Sequence, residues 1–249
     1  MFAHPSLEID FLNQKAALNH QKSLAPLIDS TLLKPDYLQT SIESLSLEAT
    51  QLGFRAVCVP PSALPLARAH LGASPVLLCT VVGFPLGYQS TSTKCAETSE
   101  AIQLGAVEID FVQNIAWLKG GMYKDLHREM AAVVAASDGC LVKVILETAL
   151  LNPLEISRAT EIAFEAGVHI IKTSTGYASR GASLDDVKLI HTRLQELDQR
   201  FHRKLGIKAS GGIKDFKFAF DLVSAGATRL GTSSGKSLLE AQLSRLTPL

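Results

Sequence analysis

The sequence is short of the features that would place it outside the cell or on nucleic acid. Its four cysteines (Cys58, Cys79, Cys95 and Cys140) show no C-x-x-C spacing and no small-domain disulfide framework. That usage is expected of reduced thiols in a cytoplasmic protein. No stretch approaches the roughly 18 consecutive apolar residues of a membrane-spanning helix. Residues 1–23 scatter His4, Glu8, Asp10, Lys15 and Lys22 among their apolar positions, and so lack the basic start and apolar core of a signal peptide. Neither sign of charge is in excess. With 24 Lys and Arg against 24 Asp and Glu, no global field draws the chain to nucleic acid or an anionic membrane. The single tryptophan, Trp117, offers no stacking platform, and the seven histidines lack metal-ligand spacing, which argues against a zinc centre.

What is present is apolar. Hydrophobic residues make up 47% and charged residues 19%, enough to build a sizeable core in one large domain or two small ones. Strand-like runs are expected at 27–31, 54–59, 76–82, 107–112, 141–147, 168–173, 205–209 and 228–231, with helical patterns between them. Gly53, Gly105, Gly167 and Gly226 each close a helical stretch just before the second, fourth, sixth and eighth run, as glycines past a helix end do. Eight strand–helix units in 249 residues predict an α/β protein whose parallel strands close into a single (β/α)8 barrel. Residues 1–25 are expected as a helical lead-in packed on that barrel, and 26–249 as the barrel itself.

Three of the strands carry a central lysine: Lys143, Lys172 and Lys208. A charged amine in a buried strand is costly unless it is paired or used. Side chains alternate along a strand, so Glu108 shares a face with Asp110, and Lys143 with Glu147. With Asp29 late in the first strand, the barrel mouth is expected to gather carboxylates and a row of lysines. Crowded, buried ammonium groups disfavour one another's charge. A lysine driven to the free amine can attack a carbonyl and form a Schiff base, while Asp110 holds a second lysine charged and moves protons. The competing reading is a lysine–aspartate network that only fills the barrel centre. These residues do not reveal which lysine attacks.

Glycine loops supply the second signal. Gly176 follows the sixth strand, Gly211 and Gly212 the seventh, and Ser233 and Ser234 stand at a helix start after the eighth. Backbone N–H groups at such loops bind phosphate, and barrel phosphates commonly sit after strands seven and eight. Cys58 shares parity with Ala56 and is expected as a small buried thiol. His169 is out of phase with Lys172 and is expected to face the outer helices.

The run Ile171-Lys172-Thr173-Ser174-Thr175-Gly176 resembles the deoxyribose-phosphate aldolases, Schiff-base enzymes with a TIM-barrel fold. The likeness extends to Ile28-Asp29-Ser30-Thr31-Leu32-Leu33-Lys34-Pro35, Val82-Gly83-Phe84-Pro85-Leu86-Gly87, Val142-Lys143-Val144-Ile145-Leu146-Glu147-Thr148 and Lys208-Ala209-Ser210-Gly211-Gly212-Ile213. The resemblance implies that Lys172 forms the Schiff base, that Lys208 tunes it and relays protons, and that Asp110 is the general acid/base. It places Lys143 and Asp29 in the supporting polar network, and Gly176, Gly211, Gly212, Ser233 and Ser234 on the phosphate. It also implies reversible cleavage of 2-deoxy-D-ribose 5-phosphate in deoxyribose phosphate catabolism. No metal or cofactor is expected, and the assembly is expected to be a cytoplasmic homo-oligomer, dimer or tetramer. Ser30, Pro60 and Tyr177 depart from residues common in that family, and Tyr177 puts a side-chain contribution to phosphate binding in doubt. The rival readings are another Schiff-base sugar-phosphate aldolase and a non-catalytic sugar-phosphate binding barrel.

Overall fold

The computed structural model describes residues 23–246. Its strands are β1 (Ile28–Thr31), β2 (Ala56–Val59), β3 (Leu77–Val82), β4 (Glu108–Val112), β5 (Leu141–Ile145), β6 (Ile170–Lys172), β7 (Gly206–Ser210) and β8 (Arg229–Thr232). Between and after them run α1 (Gln39–Leu52), α2 (Leu64–Leu71), α3 (Thr91–Gln103), α4 (Ile115–Lys119), α5 (Tyr123–Ala136), α6 (Pro153–Glu165), α7 (Leu184–Phe201), α8 (Phe216–Ser224) and α9 (Gly235–Leu246). The strands pair in chain order, all parallel, and β8 returns to β1 to close the barrel. The expected lead-in falls mostly on residues 1–22, outside the described residues. Leu24 is buried, and its N–H donates to Gln242 Oε1 at 3.0 Å, fixing the approach to β1 against α9.

Local chemistry sets the helix ends. Asn152 caps α6 with a reciprocal capping box to Glu155, and Pro153 opens the helix where its missing N–H costs nothing. Ser90, Asn114, Ser183 and Asp215 cap α3, α4, α7 and α8 more simply, each side chain accepting one backbone N–H of the first turn. Gly53 ends α1 at φ +66°, a left-handed conformation that leaves its N–H free to bond the helix's last turn. Gly105, Gly167 and Gly226 likewise take positive φ, so the fourfold glycine pattern seen in the sequence is a set of helix stops.

Strand alternation then divides the side chains. Val57, Ile109, Phe111, Val144, Ile171, Ile207 and Leu230 point to the helices and form one continuous apolar layer with them. Barrel interiors are ordinarily filled with Val, Ile and Leu. This one is filled by Asp29, Glu108, Asp110, Lys143, Lys172, Lys208 and Arg229 on one side, all buried, and by Ala56, Cys58, Cys79 and Val81 on the other.

Three local differences from the sequence reading have physical causes. The sixth strand is shorter than 168–173 because the Val168 N–H is used to close the end of α6, bonding Ala163 O at 3.1 Å. Glu147 lies beyond β5 because its φ of +57° breaks the extended backbone. The five-residue α4 was not anticipated, being too short for a hydrophobic period. No helix among the described residues is long and apolar enough to cross a membrane.

Two glycine substitutions separate backbone strain from steric exclusion. Gly53→Ala meets nothing within 4 Å and should cost only the left-handed penalty of about 1–2 kcal/mol. Gly87→Ala puts its Cβ 2.1 Å from the Gln113 carbonyl oxygen at φ +73°, so urea unfolding should show a larger loss than for Gly53→Ala.

Candidate active site

Register brings the charged strand residues together. Asp110 pairs with Lys143 across β4 and β5, Lys172 with Lys208 across β6 and β7, and Lys208 with Arg229 across β7 and β8. Lys172 stands opposite Ile145, two residues beyond Lys143, so its amine is set one layer closer to the C-terminal mouth.

At the centre is the Asp110 carboxylate. Its Oδ1 accepts from Lys143 Nζ at 2.8 Å and from Cys79 Sγ at 3.2 Å. Its Oδ2 accepts from Lys172 Nζ and Lys208 Nζ, each at 2.8 Å. Lys143 also donates to Glu108 Oε2 at 2.5 Å, and Lys208 forms an ion pair with Asp29 Oδ2 at 2.6 Å. Arg229 completes the ring: its guanidinium donates to Glu108 at 3.1 and 2.9 Å, and through Nε to Asp29 Oδ1 at 2.7 Å. Four cations thus face three carboxylates. Among the described residues, Lys172 has a single close carboxylate oxygen and shares it with Lys208, whereas Lys143 and Lys208 each bridge two acids.

The electrostatics correct one expectation. Burial alone would drive Lys208 and Lys143 towards the free amine, but the carboxylates outweigh it. Asp110 and Asp29 hold Lys208 well above the ordinary lysine range, and Asp110 and Glu108 raise Lys143. Crowding of like charges does not decide these two lysines, because each ammonium lies closer to an acid than the row of lysines suggested. Burial would likewise raise the acids. Lys143, Lys172 and Lys208 instead hold Asp110 well below the carboxylate range, and Arg229 leads in lowering Asp29 and Glu108.

The mouth is walled by the loops after β6, β7 and β8. Gly176, Gly211 and Gly212 have φ of +90°, +86° and +75°. A Cβ on Gly211 would touch Gly181 at 2.9 Å and Gly176 at 3.5 Å, so two of the loops meet backbone to backbone. Thr232 Oγ1 donates to Ile213 O at 2.7 Å and accepts from Ser234 N–H at 2.9 Å, tying the third loop to the second. Ser233 and Ser234 sit just before α9, where the positive end of the helix dipole favours an anion. All five expected loop residues therefore line neighbouring loops.

Glu147 positions the β6 loop. Its carboxylate accepts the Thr175 hydroxyl and the Thr175 N–H, the latter at 3.3 and 3.4 Å, and burial pushes its carboxyl up. Thr175 Oγ1 accepts from Tyr177 N–H at 3.0 Å. The Tyr177 hydroxyl then crosses the mouth to donate to Leu33 O at 2.7 Å, with its ring edge-on to Phe84 at 5.5 Å. His169 takes no part; its Nδ1 accepts from Val142 N–H at 3.0 Å. Sequence reasoning placed Asp29, Asp110, Lys143, Lys172 and Lys208 together but passed over Arg229. A related signal marked it, a charge on a buried strand, here at the first residue of β8. Cys79 carried no such signal. One donor set of metal-ligand type occurs among the described residues: Cys58 Sγ, Cys79 Sγ and an Asp110 oxygen, within 4.8 Å of one another.

Fold and mouth together define the class, a (β/α)8-barrel enzyme with amines and a carboxylate at the C-terminal ends of its strands. A family model described as DeoC/LacD family aldolase matches residues 19–241. The chain belongs to that aldolase family. It is 42% identical over 221 residues to the deoxyribose-phosphate aldolase of Mannheimia succiniciproducens, covering 89% of this chain and 96% of that protein. It is 44% identical over 216 residues to deoxyribose-phosphate aldolase 2 of Staphylococcus aureus, covering 87% and 95%. Among solved structures, the tetrameric deoxyribose phosphate aldolase from Aeropyrum pernix superposes with a TM-score of 0.79 at 33% identity, covering 90% of this chain and 92% of that one.

The ion ring generates a stability prediction with a defined sign. Asp29, Glu108 and Asp110 ionise more readily in the folded chain than at their ordinary values of 3.8, 4.5 and 3.8. They therefore stabilise the fold above those values, and the contribution is lost as pH falls below about 4. Arg229→Met leaves Asp29 and Glu108 without their strongest partner. Urea unfolding at neutral pH should show a loss of about 3–5 kcal/mol. Acid unfolding followed by circular dichroism should move to higher pH.

Proposed function

We propose that the protein is a deoxyribose-phosphate aldolase, cleaving 2-deoxy-D-ribose 5-phosphate reversibly to D-glyceraldehyde 3-phosphate and acetaldehyde. One observation carries the choice of nucleophile: Lys172 holds one shared carboxylate oxygen where Lys143 and Lys208 each bridge two acids. The adjoining glycine loops suit a terminal phosphate. The names of the relatives support the substrate.

In this reading the free amine of Lys172 adds to the C1 aldehyde of the open-chain sugar, and loss of water gives an iminium. The C3 hydroxyl gives up its proton, the C2–C3 bond breaks, and its electron pair flows into the iminium to leave an enamine. Glyceraldehyde phosphate departs. Protonation of the enamine carbon and hydrolysis of the regenerated iminium release acetaldehyde and restore the amine. Asp110 and Lys208, through water, carry the protons. At the neutral enamine stage Asp110 loses one of its three cationic neighbours, so its affinity for a proton rises when one must be moved. Lys143, Asp29, Glu108 and Arg229 hold these groups in place. Gly176, Gly211, Gly212, Ser233 and Ser234 bind the phosphate. The reading includes a cytosolic homo-oligomer, in keeping with the tetrameric Aeropyrum pernix relative.

Borohydride added with acetaldehyde should leave one reduced two-carbon adduct on Lys172, located by peptide mapping. An adduct on Lys143 or Lys208 would move the nucleophile, and no adduct would point to a binding barrel. Asp110→Asn should lower kcat for deoxyribose phosphate cleavage by about 10²–10⁴-fold.

A further inference from the structure

The β2–β3 side of the barrel interior holds two thiols that the proposed reaction leaves unused. Cys58 and Cys79 are opposite one another in register on β2 and β3, and both are 0% exposed. Their sulfurs and an Asp110 carboxylate oxygen lie within 4.8 Å of one another, and the Cys79 Sγ to Asp110 Oδ1 distance is 3.2 Å. In a tetrahedral site with metal–sulfur bonds of about 2.3 Å and a metal–oxygen bond of about 2.0–2.2 Å, such donors stand about 3.5–3.8 Å apart. The three groups are close to that spacing already, each on a rigid strand.

We propose that Cys58, Cys79 and Asp110 form a binding site for one thiophilic divalent cation, Cd²⁺ or Zn²⁺, whose occupancy silences the lysine chemistry beside it. Two sulfur donors select soft metals over Mg²⁺ or Ca²⁺. Binding releases both thiol protons as the dication enters, so the charge of the cluster is unchanged. That exchange is what admits a cation next to Lys143, whose Nζ is 3.5 Å from Cys79 Sγ. The metal also takes Asp110 Oδ1, now shared by Lys143 and Cys79, and draws electron density from the oxygen that holds Lys172 and Lys208. The remaining cysteines, Cys95 and Cys140, lie outside this donor set and serve as controls.

The test titrates CdCl₂ alone into the purified full chain and follows thiolate-to-cadmium charge-transfer absorption in the ultraviolet. The expected result is saturation at one cadmium per chain, reversal by EDTA, and loss of the band in Cys58→Ser and Cys79→Ser but not in Cys95→Ser. Borohydride trapping of acetaldehyde should disappear along the same saturation curve and return with EDTA. No band in the unmodified protein, or a band surviving in the Cys58→Ser/Cys79→Ser double variant, would overturn the proposal. If the serine variants do not fold, anomalous diffraction from cadmium-soaked crystals decides. An ion between Cys58, Cys79 and Asp110 supports the site, and one bound only elsewhere overturns it. The absorption readout does not depend on the proposed reaction, so absent trapping in metal-free protein would count against that reading alone.

Discussion

One carboxylate with three ammonium partners governs this molecule. Asp110 is fully buried, and each of its oxygens is committed to lysines from other strands. Taking so many charges out of water costs several kcal/mol apiece unless each finds opposite charge and hydrogen bonds inside. That requirement fixes the positions of β4 to β8 and β1 relative to one another more strictly than apolar packing would, because ion pairs at 2.5 to 2.9 Å tolerate little slippage. The helical shell is mostly apolar and tolerates more, the buried Lys94–Glu129 pair between α3 and α5 being its own fixed point. The enzyme's rigidity is therefore concentrated where its chemistry is.

The interior is divided accordingly. Its charged side spans β4 to β8 and β1, while β2 and β3 contribute alanine, cysteine and valine. Small side chains there leave the charged groups room to lean inward. They also place sulfur, the most polarisable donor available, against Asp110. Above this layer, the sequence of contacts from Glu147 to Thr175 to Tyr177 to Leu33 braces the β6 loop across the mouth. Tyr177 thus serves as a strut at the rim.

Much of this was legible in the sequence because two periodicities carried it. Period-two alternation placed Asp29, Asp110, Lys143, Lys172 and Lys208 on one face, and helix-stopping glycines counted the units of the barrel. What alternation cannot supply is the vertical offset between strands. Whether Lys172 lies level with Lys208 or with Lys143 depends on the stagger of the closed sheet, which pairs Ile145 rather than Lys143 with Lys172. The charge state of the lysines was illegible for the same reason. It depends on which acid stands within 3 Å of each amine, and a row read from sequence shows only that acids and amines are near. Arg229 carries the same kind of signal, a cation on a buried strand, but as a single residue of its type it does not extend the row of lysines.

The closure between β8 and β1 has a consequence for how the protein comes into being. Arg229 and Asp29 are 200 residues apart, yet each is the other's principal partner. During synthesis the acids of β1 and β4 emerge first, and the guanidinium that neutralises them arrives only with the last strand. Until then Asp29 and Glu108 lack one of the two cations that accompany each of them into the barrel, and burial of either acid costs more. The ring of charges around Asp29 and Glu108 is therefore complete only when β8 closes the barrel against β1.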